Sequence, residues 1–122
     1  MKQLLVIARD SGVQRAFEAA LSDIPCTLLL TSDIVTALGY LESRPIDLVF
    51  LDLQGLAADG LCLLQLLRSR GNPVPVFVAT TPADLGVSLL RAAASRGIHY
   101  EIMRKPLDRG DIRAATAAVL AT

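Results

Sequence analysis

Asp52 ends an apolar run that begins at Ile46 and is rich in branched side chains. Such a run predicts a strand buried on both faces, as in parallel sheets. Open α/β sheets bind ligands and perform chemistry outside the carboxyl ends of their strands, so a carboxylate there is a candidate functional group. A single acid at this place is also compatible with a structural cap on the following loop, and its position does not separate the two interpretations.

Strand and helix patterns alternate along the whole chain and would bring Asp52 to such an edge. Apolar runs predict five strands, at Gln3–Ala8, Cys26–Leu30, Ile46–Asp52, Val74–Thr80 and Ile98–Arg104. Helical periodicity and capping residues predict five helices: from the turn at Asp10–Gly12 through Leu21, over Ile34–Leu41, over Leu61–Arg70, from the capping turn at Thr81–Asp84 to near Gly97, and over Asp108–Leu120. Short loops then give βαβ units and a mainly parallel sheet covered on both sides.

Length and composition indicate one compact domain, which we expect to span residues 1–122. Twelve basic residues balance twelve acidic ones, so the overall charge gives no indication of nucleic-acid or anionic-membrane binding. The amino-terminal apolar segment is too short for a signal-peptide core or a membrane span. Cys26 and Cys62 lie far apart in apolar runs, which predicts buried thiols in a reducing cytoplasm and neither a disulfide nor a metal site.

Four segments in register resemble the receiver domains of response regulators in two-component signalling. They are Leu48–Asp52 with the following Asp59–Gly60, Pro75–Thr80, Lys105–Pro106 and the approach segment Ala37–Asp47. The resemblance covers residues 2 to 120. It implies a flavodoxin-like (βα)5 three-layer sandwich with a parallel five-stranded sheet of order 2-1-3-4-5, whose switch point lies beside Asp52. It also implies a signalling domain and not an enzyme.

The resemblance assigns roles to three residues. Asp52 would accept a phosphoryl group from a histidine kinase, Thr80 would hydrogen-bond a phosphoryl oxygen, and Lys105 would pair with another. Phosphoryl transfer depends on positioning and charge neutralisation, which a carboxylate, a hydroxyl and a lysine at one edge can supply. The plainer interpretation is that Lys105 pairs with Asp52 and that Thr80 satisfies backbone groups; the joint occurrence of all three residues favours the functional one.

The chain departs from the family pattern at the end of the first strand. The family places two acids there that help to hold magnesium, whereas this chain has Ala8 and Arg9. We expect magnesium binding to be weak or absent, because an acidic ligand is replaced by a cation. Arg9 would instead donate a forked pair of hydrogen bonds to Asp52. In the alternative of an ordinary phosphorylatable receiver, Asp10 and Gln54 would join Asp52 as metal ligands.

Further expectations concern an aromatic residue that would take part in switching and a surface that would contact a partner. The family has an aromatic residue on the fifth strand; here that position is Ile102, and Tyr100 two residues earlier is the candidate switch aromatic. The last two helices and the fifth strand are expected to contact a partner, either a signalling protein or a second copy. The fourth helix supports this with apolar residues in excess of one buried stripe, including Leu85, Val87 and Leu89. A small flavin or nucleotide binder of the same architecture is the alternative from another class.

Overall fold

Five parallel strands and five helices alternate along the chain in the computed structural model, which describes residues 1–81 and 86–121. The strands are β1 Gln3–Ile7, β2 Thr27–Thr31, β3 Leu48–Asp52, β4 Val76–Thr80 and β5 Glu101–Arg104. The helices are α1 Ser11–Leu21, α2 Ile34–Ser43, α3 Ala57–Ser69, α4 Gly86–Ser95 and α5 Arg109–Leu120. The sheet order is β2-β1-β3-β4-β5, which confirms the predicted fold and topology.

Successive residues of the central strands point to opposite faces of the sheet and are buried on both. Val49 and Leu51 of β3 belong to a core closed by α2, α3 and α4. Leu48 and Phe50 belong to a second core closed by α1 and α5, where Phe50 packs against Phe17 with ring centroids 4.7 Å apart. This double burial fixes β3 firmly and thereby fixes the position of the residue at its carboxyl end.

Two predicted boundaries are wrong by several residues. Helix α3 begins at Ala57 and not at Leu61, because Gly60 is not a loop residue. It lies inside the helix where a Cβ atom would come within 3.2 Å of Leu51, so its small size allows close helix–strand packing. Strand β5 begins at Glu101 and not at Ile98, since the preceding residues form the connection from α4.

Other expectations concern thiols and the start of the fourth helix. Both cysteines are free, but only Cys26 is partly buried; Cys62 is exposed on α3, so its predicted burial is wrong. The expected capping turn at 82–84, together with Leu85 and the side chains of Val87 and Leu89, lies outside the described residues. Within the described ranges, no helix is long and apolar enough to cross a membrane.

Candidate functional site

Asp52 is the last residue of β3 and is almost completely buried, with 2% of its surface exposed. Its Oδ1 atom accepts a hydrogen bond of 3.1 Å from the backbone N–H of Gln54. The same oxygen lies 2.7 Å from the Nζ atom of Lys105. A buried carboxylate requires such partners, because an unpaired charge away from water is strongly unfavourable.

Lys105 reaches Asp52 from the loop that follows β5. Its backbone N–H donates to the carbonyl oxygen of Thr80 at 3.0 Å, which extends the β4–β5 pairing by one residue. Its Nζ atom also donates to the side-chain oxygen of Gln54 at 3.2 Å. Asp52, Gln54 and Lys105 therefore form one closed cluster, which we call the acidic-pocket cluster.

The second carboxylate oxygen of Asp52 is in a different situation. Oδ2 is buried and has no hydrogen-bond partner among the described residues. A buried acceptor of this kind normally has a proton, an ordered water or a cation beside it. The acidic-pocket cluster thus neutralises one side of the carboxylate and leaves the other side ready to receive a positively polarised group.

The expected contact between Arg9 and Asp52 is not formed. The Nη1 atom of Arg9 donates instead to the backbone carbonyl oxygen of Gly55 at 3.0 Å, and the side chain is exposed. Gly55 has a φ of +74°, and its missing side chain leaves room for the arginine stem. The prediction of a forked pair to the buried acid is wrong because a solvent-accessible carbonyl satisfies the guanidinium without desolvating it.

The residues around the pocket fit a tight magnesium site poorly. Ala8 has no side-chain oxygen, and its carbonyl accepts from Gln14 at 2.7 Å. Asp10 caps helix α1, because its Oδ1 accepts from the N–H groups of Gly12 at 2.6 Å and Val13 at 3.3 Å. Among the described residues, no group of three or more His, Cys, Asp or Glu side chains could hold a metal ion. Magnesium requires an oxygen octahedron, and this pocket supplies few fixed oxygens.

Thr80 is the last residue of β4, whereas Tyr100 comes just before the first residue of the parallel strand β5, so the two lie toward opposite ends of the sheet. Thr80 is buried, and its hydroxyl donates to the carbonyl of Thr81 at 3.2 Å. Tyr100 precedes β5, and its hydroxyl donates to the carbonyl oxygen of Leu90 in α4 at 2.8 Å. Both residues line a cleft of about 390 Å³ between α4 and β5. Ile102, at the family's aromatic position, is 44% exposed in that cleft.

Sequence reasoning missed two features of the site. The sequence indicated Gln54 only as a possible metal ligand. In the structure its backbone N–H donates to Asp52 and its side-chain oxygen accepts from Lys105, so Gln54 links the other two members of the acidic-pocket cluster. Its position two residues after Asp52, in a turn, is a usable signal, because such an N–H commonly folds back to the preceding carboxylate. The contact between Arg9 and Gly55 had no sequence signal.

The response regulator receiver domain family model matches residues 4–117 of this chain. The chain is 25% identical over 119 residues to the Regulator of RpoS of Escherichia coli K12, covering 98% of this chain and 35% of that protein. It is 27% identical over 103 residues to the DNA-binding transcriptional regulator NtrC of the same strain, covering 84% of this chain and 21% of that protein. The chain therefore spans only a minor part of these relatives.

Solved receiver domains have the same fold. One is the signal receiver domain of an HD domain-containing protein from Pseudomonas fluorescens Pf-5, with 26% identity, a TM-score of 0.80, and coverage of 98% of this chain and 94% of that chain. Another is the N-terminal signal receiver domain of a two-component system response regulator from Bacteroides fragilis, with 19% identity, a TM-score of 0.80, and coverage of 100% and 98%.

Proposed function

This chain belongs to the response regulator receiver domain family, and from that premise we propose that it is a protein-interaction switch with weakened or lost magnesium-dependent phosphorylation of Asp52. Receiver domains are signalling domains of two-component systems that interact with histidine kinases and other signalling proteins. We further propose that residues 1–122 act as one such unit, because the two cores run from β1 to α5.

The ligand set at the end of β1 is the observation that carries this proposal. Ala8 supplies no side-chain ligand, Asp10 caps a helix, and Arg9 holds a backbone carbonyl. The salt bridge from Lys105 neutralises Asp52 at Oδ1 without a metal ion. An acyl phosphate on Asp52 would add negative charge that Lys105 alone must balance, which makes that state unfavourable.

One observation favours the alternative of an ordinary phosphorylatable receiver. Among the described residues the Oδ2 atom of Asp52 has no partner, which leaves an oxygen that could bind a cation or accept a phosphoryl group. The cap on α1 uses only Oδ1 of Asp10, so its second oxygen can still face an ion. Gln54 could contribute a further oxygen. Family membership, in contrast, gives no support to a flavin or nucleotide binder.

Two measurements on the unmodified protein separate the candidates. In the first, magnesium is titrated while the NMR chemical shifts of the Asp52 and Gln54 amides are followed. In the second, the protein is incubated with acetyl phosphate and its intact mass is measured by mass spectrometry. We expect little shift at millimolar magnesium and no mass increase of one phosphoryl group. Stoichiometric labelling that Asp52→Asn abolishes would establish the ordinary receiver instead.

A double substitution, Ala8→Asp with Arg9→Asp, tests the physical reason. It restores two carboxylates at the end of β1, so we expect tighter magnesium binding and detectable labelling. The matched control is Arg15→Asp with Ala19→Asp, which makes the same charge change at exposed positions of α1. A gain of magnesium binding in the control as well would mean that net charge, and not the ligand set, limits the metal.

We also propose that the α4–β5 cleft, with α5 beside it, is the partner surface and supports a homodimer. The exposed Ile102 and the unpaired guanidinium groups of Arg91 and Arg104 line it in the described part of the chain. Light scattering across a dilution series should show a dimer that Ile102→Glu weakens. Val35→Glu is the control, because Val35 is 82% exposed on α2. A strict monomer at high concentration would rule out the homodimer.

A further inference from the structure

The contact between Arg9 and Gly55 ties two chain segments that are far apart in sequence. The Nη1 atom of Arg9 donates to the Gly55 carbonyl at 3.0 Å. The Cδ atom of Arg9 also lies 3.0 Å from the place that a Cβ atom of residue 55 would occupy. The arginine therefore packs its stem on the glycine and hydrogen-bonds the carbonyl of the same residue.

Gly55 is the apex of the turn that leaves Asp52. On one side of it, the N–H of Gln54 donates to Asp52 and its side chain accepts from Lys105. On the other side, the N–H of Leu56 donates to the carbonyl of Leu53 at 2.9 Å. Hydrogen bonds thus fix both ends of the turn, and Arg9 adds a contact at its apex.

An arginine suits this attachment better than other residues at the same position. Strand β1 pairs with β3 in register up to Ile7 and Leu51, so residue 9 begins close to the turn. The guanidinium is planar, offers several donors in a fixed geometry and is only weakly hydrated. Lysine has a single compact, strongly hydrated charge, and alanine has no donor at all.

We propose that Arg9 is a positioning residue that holds the β3–α3 turn against the end of β1, and so keeps Gln54 in place within the acidic-pocket cluster. This inference rests on the proposed function, because it takes the acidic-pocket cluster to be the part of the domain that sets the state of the switch. The guanidinium of Arg9 would hold the turn with a positive charge that belongs to the chain itself, so this contact needs no metal ion. Losing it would loosen Gln54 first, because Gln54 precedes the apex directly.

Amide hydrogen exchange followed by NMR tests the proposal in magnesium-free buffer. The reporters are the N–H groups of Gln54 and Leu56, whose acceptors lie within the turn. A single exposed hydrogen bond predicts exchange about two- to tenfold faster in Arg9→Ala. We expect the exchange rates of Arg9→Lys to lie between those of the unmodified protein and those of Arg9→Ala. The N–H of Gly110, which donates to Asp108 at 2.7 Å, is the reporter that should not change.

The matched control is Arg15→Ala, which removes the same charge from an exposed residue of α1. Unchanged exchange at both reporters in Arg9→Ala would overturn the proposal. Equal acceleration in Arg9→Ala and Arg15→Ala would also overturn it, because net charge and not the turn contact would then be responsible. Phosphorylation by acetyl phosphate is measured separately, so the proposed function can fail while the exchange result still supports the role of Arg9.

Discussion

Replacing Lys105 by methionine should destabilise the protein strongly, because it leaves the buried carboxylate of Asp52 without its cationic partner. The side chain of Asp52 is 1% exposed and that of Lys105 is 13% exposed. Removing one partner of a buried ion pair typically costs about 3–5 kcal/mol. We expect about 3 kcal/mol here, at the lower end, because Lys105 lies at the mouth of the pocket and water can enter the vacated space. The bond from the N–H of Gln54 remains and limits the loss.

A double-mutant cycle separates this effect from lost packing. Asp52→Asn keeps the shape and the acceptor for Gln54 and should cost about 1 kcal/mol, since the lysine charge that remains can hydrate. In that background, Lys105→Met should cost only about 1 kcal/mol, because no buried charge is left behind. The coupling energy between the two positions is then about 2 kcal/mol, within the range for directly paired residues.

Urea unfolding followed by circular dichroism at 25 °C measures all four free energies of unfolding. Lys2→Met is the matched control, because Lys2 is the other lysine of the chain and makes no ion pair among the described residues. Its effect should be below about 0.5 kcal/mol. If Lys105→Met costs the same in the native and Asp52→Asn backgrounds, the two charges are not energetically coupled and the electrostatic account of the pocket is wrong.

Three further predictions concern single residues. Gly39→Ala should raise the free energy of unfolding by about 0.5–1 kcal/mol, since it improves helix α2 and its Cβ meets nothing within 4 Å; Gly60→Ala should lower it by about 1 kcal/mol, because its Cβ would lie 3.2 Å from the buried Leu51. Urea unfolding measures both. The hydrogen bond from Arg113 holds the pKa of Asp23 below its ordinary value of 3.8. Its small stabilisation is present above that value and lost as the pH falls through the lower folded pKa. Asp23→Asn should therefore lower Tm slightly at neutral pH and lose this effect in acid, as calorimetry over a pH series would show.

The fold was predictable because hydrophobic patterning and topology agree throughout the chain. Five apolar runs, each followed by a helical pattern, predict a mainly parallel sheet, and the strand order implied by the resemblance to receiver domains is the observed one. The errors come from residues with two uses. Gly60 resembles a loop residue but serves close packing inside α3, and Tyr100 resembles a strand residue but precedes β5 and bonds to Leu90. Single-residue propensity does not reveal which use tertiary packing selects.

The site was predictable only where burial decides the outcome. Asp52 lies at the buried end of β3 and Lys105 follows the edge strand β5, two strands away at the same edge of the sheet, so their pairing was among the expected interpretations. The position of the Arg9 side chain was not predictable, because a long, exposed side chain can reach several acceptors and the sequence does not show which of them it bonds. The same reasoning applies to the side chain of Gln54, whose hydrogen bond with Lys105 became clear only from the three-dimensional structure.

The ion pair itself argues for a functional pocket and against a merely structural one. A buried pair contributes little to stability compared with apolar residues of similar size, because the desolvation of both charges offsets their attraction. The other residues of β3 are all apolar and lie in the two cores, so Asp52 is the one charged residue of this buried strand. Among the described residues the pair leaves Oδ2 without a protein partner, so this oxygen remains an acceptor for a further group. These observations support the proposal that Asp52 and Lys105 form a charged element whose partner groups can change, with Arg9 proposed to hold the adjacent turn.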